Sequence, residues 1–279
     1  MVTSIRKIHL AVLTVSLLFT VACGGTSGKP NQATLTAQLN RSQQLATRMA
    51  QGLQSTSLAT DLQLTATVQA VQSLLQAADD WELVLPADFE QASVAWVTGE
   101  DSNDYGSSKW TLAKSKLRWE AAATQGMVWW SIPDMPPVSD FYLSVDTRQI
   151  SAPSDSLVGL TFRVTEDEEG YYLFQVDAGG NFAVYQLKDD QWLALLSWRP
   201  APEYLPGQAN QLAVLGQGAQ FYFYINDGLL AEMYDENLAV GTTGLAIGLN
   251  NPGDAGTWEF ERFQVSAPAG TFPTPTPNP

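Results

Sequence analysis

From about residue 81 onward the chain is written in short apolar runs with a period of two. "FYLSVD" (141–146), "LVGLTFRV" (157–164), "YYLFQVD" (171–177), "NFAVYQL" (181–187), "WLALLSW" (192–198), "QLAVLG" (211–216) and "TGLAIGL" (243–249) are rich in Val, Leu, Phe and Tyr. Such residues fit a pleated, half-buried surface, and "EDEEG", "DAGG", "KDD", "PGQ" and "NPGDAG" between them are turn signals. Shorter candidate strands at 109–113, 116–121 and 126–132 come first, and "TWEFERFQVS" closes the series. About a dozen strands with no helical pattern between them predict an all-β domain, a two-sheet antiparallel sandwich over residues 81–266.

"FYFYINDGLLAE" (221–232) tests whether polar clusters here are ligand sites or corners. Phe221, Phe223 and Ile225 share one face of a strand and Tyr222 and Tyr224 the other. Asn226-Asp227-Gly228 supplies residues that tolerate positive φ, and Leu229 and Leu230 resume an apolar strand, so one hairpin accounts for the whole stretch. Calcium at Asp227 would need several more oxygens, which the local sequence does not supply.

Upstream the period changes. Residues 34–80 are dominated by Gln, Thr, Ala and Leu; Leu35, Leu39, Ala46, Met49 and Leu53, then Leu64, Val68, Val71, Leu75 and Ala78, fall at helical spacing. A helical stalk or spacer is expected, as a coiled coil, a helix-turn-helix broken near Gly52, or a lone helix. Residues 24–33, "GGTSGKPNQA", read as a flexible tether, and the Pro/Thr-rich residues 267–279 as an extended, disordered tail.

The first 23 residues read as a processing signal: Arg6 and Lys7, an apolar stretch from Ile8 to Thr20, then "TVAC". The apolar stretch falls short of the ~20 residues of a bilayer span. "TVAC" resembles the lipobox of bacterial lipoprotein signal peptides, with Thr20 where that family prefers Leu. The resemblance implies that Cys23 becomes the lipid-bearing first mature residue, anchoring the chain to the cell membrane outside the cytoplasm. Cys23 is the only cysteine, so an intramolecular disulfide is excluded independently.

Charge and elimination narrow the chemistry. Without Arg6 and Lys7, 12 basic residues face 29 acidic ones, a net charge of −17, which disfavours nucleic acid and anionic lipid and suits a neutral or cationic partner. The sole histidine, His9, lies in the leader. The mature chain therefore lacks Ser-His-Asp and Cys-His catalysis and His- or paired-Cys zinc sites. No phosphate-binding glycine loop occurs. No cofactor is expected; Asp101, Asp104, Glu166 and Asp177 are candidate Ca²⁺ ligands without a loop signature.

The ordered phrases "DFEQASVAWVTGEDSNDYG", "FYLSVDTRQISAPSDSLVGLTFRVTEDEEGYYLFQVDAGGNFAVYQLKDDQWLALLSW", "NQLAVLGQGAQFYFYINDGLLAE", "VGTTGLAIG" and "WEFERFQV" resemble the concanavalin A-like lectin/glucanase superfamily, nearest its LamG-like, 3-keto-disaccharide hydrolase (DUF1080-type) domains. That resemblance implies a jelly-roll sandwich whose concave sheet binds carbohydrate. Catalytic laminarinase-type members carry an ExDxxE-like carboxylate row on one strand. Here Glu259 and Glu261 share a face but are followed by Phe263; Glu232, Asp235 and Glu236 have the wrong parity; Glu166–Glu169 end in Gly170 as a turn. The row is absent.

Candidate ligand residues follow from aromaticity and parity. Trp129 and Trp130 must face opposite ways. With Phe162 inward, Arg163 is expected outward; with Tyr172, Phe174 and Val176 inward, Tyr171, Gln175 and Asp177 are outward. Arg163, Tyr171, Gln175 and one of the two tryptophans are thus expected to line one sheet face, with Trp198 at its rim. The leading expectation is a non-catalytic module binding carbohydrate or another cell-surface component. The alternatives are a carboxylate-based glycoside or keto-glycoside hydrolase, and a stalked domain for protein contacts.

Overall fold

The computed structural model describes residues 73–92 and 95–270. The leader with Cys23, the tether, the predicted helix before residue 73 and the tail beyond residue 270 lie outside the described residues. Fifteen strands follow one another: β1 (Glu82–Leu85), β2 (Gly99–Asn103), β3 (Gly106–Ala113), β4 (Lys116–Ala123), β5 (Met127–Ser131), β6 (Phe141–Ser151), β7 (Leu157–Val164), β8 (Tyr171–Asp177), β9 (Asn181–Lys188), β10 (Gln191–Pro200), β11 (Asn210–Gln217), β12 (Gln220–Ile225), β13 (Gly228–Tyr234), β14 (Thr242–Leu249) and β15 (Ala255–Ala267).

They form two antiparallel sheets. One runs β13-β12-β11-β6-β15-β4-β3-β2, with β1 also paired to β15; the other runs β10-β9-β8-β7-β14-β5. Strands distant in sequence lie side by side, as in a jelly roll: β6 sits between β11 and β15, and β14 between β7 and β5. The expected all-β sandwich is therefore present.

Alternation builds the core. Leu117 and Trp119 of β4, Trp258 and Phe260 of β15, and Phe221 and Phe223 of β12 face inward from the larger sheet. Phe162 of β7, Phe174 of β8 and Phe182 of β9 meet them from the smaller one. Phe174 and Phe223 lie 5.2 Å apart across the interface. Each fully buried aromatic of this kind contributes ~1.5–3 kcal/mol. On the outward face of the larger sheet, Leu74, Leu75 and Ala78 of the helical residues 73–78 pack with Trp81 against Tyr142, Ala213, Tyr222 and Tyr224.

Two strands were not expected. β1 is four residues long, too short for a period to show. β2, "GEDSN", is exposed throughout and pairs only with β3. An edge strand is held by its ladder and needs no apolar face, so it leaves no hydrophobic signal.

The 226–228 turn is the expected hairpin. Asn226 (φ 48°) and Asp227 (φ 66°) both adopt the left-handed conformation of a type I′ turn between β12 and β13. Asp227 is exposed at the tip. Asn226 also ties neighbouring segments together: its Oδ1 accepts from the Gln211 amide at 2.9 Å, and its Nδ2 donates to the Glu203 carbonyl at 2.8 Å and to Asn210 Oδ1 at 2.9 Å.

Candidate functional site

The free edges of the two sheets come together at one side of the sandwich. β5 ends the smaller sheet and pairs only with β14 among the described residues; β2 ends the larger sheet. Trp129 pairs across from the core residue Ile247 and points inward, while Trp130 pairs across from Ala246 and points outward. Gly106, opening β3, lets the Trp129 ring lie against the backbone: a Cβ there would stand 2.9 Å from the ring.

Trp130 begins an aromatic row across the outward face of the smaller sheet. Its ring centroid is 5.2 Å from that of Tyr171; Tyr171 meets Trp192 edge-on at 5.7 Å, and Trp192 meets Tyr185 edge-on at 6.2 Å. Glu168, in the turn between β7 and β8, accepts a hydrogen bond from Trp130 Nε1 at 2.8 Å and fixes the indole.

A groove of ≈ 750 Å³ passes this edge. Its aromatic lining is Tyr105, Trp110, Trp129, Trp130, Tyr171 and Trp192; its polar lining includes Asp101, Asn103, Asp190 and Asn250. Trp110 Nε1 and the Tyr171 hydroxyl are buried there without a hydrogen-bond partner. Burial pushes the Tyr171 phenol well above its ordinary pKa, reinforced by Glu168, so it remains a neutral donor. Partly exposed rings such as Trp130 and Trp192, combined with the short polar side chains of the wall, suit the two faces of a sugar: C–H groups for the rings, hydroxyls for the polar atoms.

The structure brings together only part of the expected set. Trp129, Trp130 and Tyr171 line the groove. Gln175 shares the outward face with Tyr171, is buried, and has an unpartnered Oε1, but lies outside the groove. Trp198 is exposed near the far end of β10 and also lies outside it.

Arg163 is a correction. It is not on the outward face. Its φ is 51°, and the β7–β14 register shifts beside it, a β-bulge that turns it back to the side of Phe162. The guanidinium is buried 4.7 Å from the Phe221 ring centroid and donates to the carbonyls of Leu238 (2.6 Å), Ser139 (2.8 Å) and Gly218. Desolvation lowers its pKa from the ordinary arginine value. It clamps three segments at one end of the sandwich.

Sequence reasoning missed Tyr105, Trp110, Trp192, Asn103, Asp190 and Asn250 as a group. Trp192, directly after the "KDDQ" turn, was a findable exposed aromatic; nothing local linked it to Trp110.

Several of the other acidic residues are engaged elsewhere. Glu259 and Glu261 do share a face, where Lys116 reaches Glu261 at 2.5 Å and Arg118 reaches Glu259 at 3.1 Å. Asp235 accepts hydrogen bonds from the Tyr172 hydroxyl and the Asn237 amide. Asp177 caps the β8–β9 turn by accepting from the Asn181 amide at 2.8 Å. Among the described residues no three His, Cys, Asp or Glu side chains gather into a metal-binding cluster.

No protein-family model matches the chain, and no curated protein matches it. Solved structures do. The carbohydrate-binding module CBM66 from Bacillus subtilis matches with 18% identity over 61% of this chain and 96% of its own, TM-score 0.48. The catalytic domain of an endo-1,3-beta-glucanase (laminarinase) from Thermotoga petrophila RKU-1 matches with 8% identity over 68% of this chain and 99% of its own, TM-score 0.48. Sheep galectin-11 matches with 13% identity over 48% of this chain and 97% of its own, TM-score 0.35.

Proposed function

We propose that this is an extracytoplasmic module, anchored by lipid on Cys23, whose sandwich binds carbohydrate in the groove at the β5 edge. The lipobox-like "TVAC" supports the anchor. The observation that carries the binding reading is the groove: six aromatic side chains, with Asp101, Asn103, Asp190 and Asn250, around a space of ≈ 750 Å³, large enough for a short oligosaccharide. Membrane attachment would hold that groove outside the cytoplasm, with the part of residues 34–80 before the segment packed on the sandwich as the spacer.

The test is affinity electrophoresis of the full chain through gels containing soluble polysaccharides. Retardation by at least one polysaccharide, lost in Trp130→Ala and in Trp192→Ala, supports the reading. Unretarded migration across neutral and amino-sugar polymers contradicts it.

One observation favours a second reading, a carboxylate-based hydrolase. Asp101 of β2 and Asp190 of the β9–β10 turn are both on the groove wall. Glycoside hydrolysis needs two carboxyl groups ~5–9.5 Å apart. Release of reducing ends from a bound polysaccharide, abolished by either Asp→Asn change, would establish it; bound and intact polymer establishes the binding module.

A further inference from the structure

We infer that the groove selects its glycan by charge, accepting neutral sugars and preferring amino sugars while rejecting uronates, sulfated sugars and sialosides; the inference rests on the carbohydrate reading above.

The lining carries charge of one sign. Asp101 and Asp190 are exposed to the groove, and neither has an ion-pair or hydrogen-bond partner among the described residues. No lysine or arginine is among the described lining residues. The cations of β3, β4 and β7 are already committed, and Lys188, exposed beside the Asp190 turn without an ion pair among the described residues, is not a lining residue. Lys109, on β3, holds Glu100 at 2.6 Å on the strand face opposite to Trp110. Lys116 and Arg118 serve the Glu259–Glu261 row, and Arg163 is buried against backbone carbonyls. An acidic sugar entering the groove would therefore meet two unneutralised carboxylates and no compensating donor cation.

The surrounding field acts in the same direction. The chain past Cys23 carries 12 basic and 29 acidic residues, a net −17, which repels polyanions at long range. At physiological salt that long-range part is screened beyond ~8 Å, so discrimination at close range falls to the carboxylates on the wall. An ammonium group at C2 of a sugar stacked on Trp130 or Trp192 gains a charged partner that a neutral or acetylated sugar lacks. Each exposed pair of this kind changes affinity by up to about fivefold, so the two together set an upper bound of about twenty-five-fold.

The test uses the full chain and three soluble probes: glucosamine oligomers, their N-acetylated counterparts, and galacturonate oligomers of matched length. Titration is followed by tryptophan fluorescence at low and at physiological salt. The expected order is glucosamine over N-acetylglucosamine over galacturonate, each step more than about twofold at low salt and smaller at physiological salt. Asp101→Asn/Asp190→Asn brings the ratio of amine to acetylated affinity to about one, whatever it does to the absolute affinity for the acetylated probe. Glu259→Gln/Glu261→Gln, which alters net charge equally but away from the groove, leaves the preference intact. Uronate binding as tight as that of the acetylated probe, or an amine preference that survives the double Asp→Asn change, overturns charge selection while leaving carbohydrate binding standing. Failure of both glucosamine and N-acetylglucosamine oligomers to bind, with a neutral polysaccharide still retarding the chain in affinity electrophoresis, overturns the amino-sugar preference while carbohydrate binding stands; failure of all probes together with unretarded migration overturns both.

Discussion

Arg163 of the smaller sheet and Phe221 of the larger one meet across the sandwich, the guanidinium 4.7 Å from the ring centroid. With the carbonyls of Leu238, Ser139 and Gly218 as its acceptors, this one side chain closes one end of the core. Arg163→Met leaves those carbonyls buried without a donor. The expected cost is ~2–4 kcal/mol, read as a lower denaturant midpoint with an unchanged slope, and saccharide affinity stays within about twofold. An unaltered midpoint would contradict the clamp.

The β12–β13 turn separates a conformational effect from a hydrogen-bonding one. Asp227 is exposed with φ 66°, so Asp227→Gly relieves left-handed strain and is neutral to stabilising by about 0.5–1 kcal/mol. Asn226→Gly satisfies the same φ but removes the bonds to Gln211, Glu203 and Asn210, and is expected to cost ~1–3 kcal/mol. Thermal denaturation of the two variants side by side checks the opposite signs.

These two residues also mark what the sequence makes legible. Asn226-Asp227-Gly228 is a local signal, and a strand on either side leaves the turn one place to go. β7, β8 and β9 are similarly legible as strands because Val, Leu, Phe and Tyr crowd them, although β7 and β8 are buried on both faces and their pattern does not single out the core side. Arg163 defeats the parity rule because a bulge inserts one residue and reverses every face after it, and neither Arg163 nor its neighbours Phe162 and Val164 is a Gly, Asn or Asp that would announce positive φ. The groove was half visible for a different reason. Trp129, Trp130 and Tyr171 lie on strands the alternation placed, whereas Tyr105, Trp110 and Asp101 arrive through the β2–β3 hairpin, whose position beside β5 is decided by topology alone.

Alkaline pH is expected to unfold the domain cooperatively. The phenols of Tyr171, Tyr172 and Tyr224 are raised chiefly by burial, Tyr172 also by its hydrogen bond to Asp235. A phenol whose folded pKa exceeds its unfolded value near 10 binds its proton more tightly in the folded state. Its contribution is fully present below about pH 10 and declines as pH rises through the window above that value. Ultraviolet phenolate absorbance and circular dichroism should therefore change together for these three residues. Ionisation of all the tyrosines before any loss of structure would contradict the burial.

The Glu259–Glu261 row is expected to be a surface feature. Glu259→Gln removes a charge shared by Lys116 and Arg118, all at least partly exposed, and should move the thermal midpoint by less than ~4 °C with no change in saccharide binding. A loss of binding in this variant would move the site to the opposite sheet.

The central claim, that the β5 edge is a saccharide site, is tested most directly by the indole N–H resonances of the full chain during titration with a retained oligosaccharide. The account predicts saturable shifts at Trp110, Trp129, Trp130 and Trp192, which line the groove, and none at Trp119 and Trp258, which are fully buried, or at Trp198. Shifts confined to Trp198, or saturation with all four groove indoles unmoved, would contradict it.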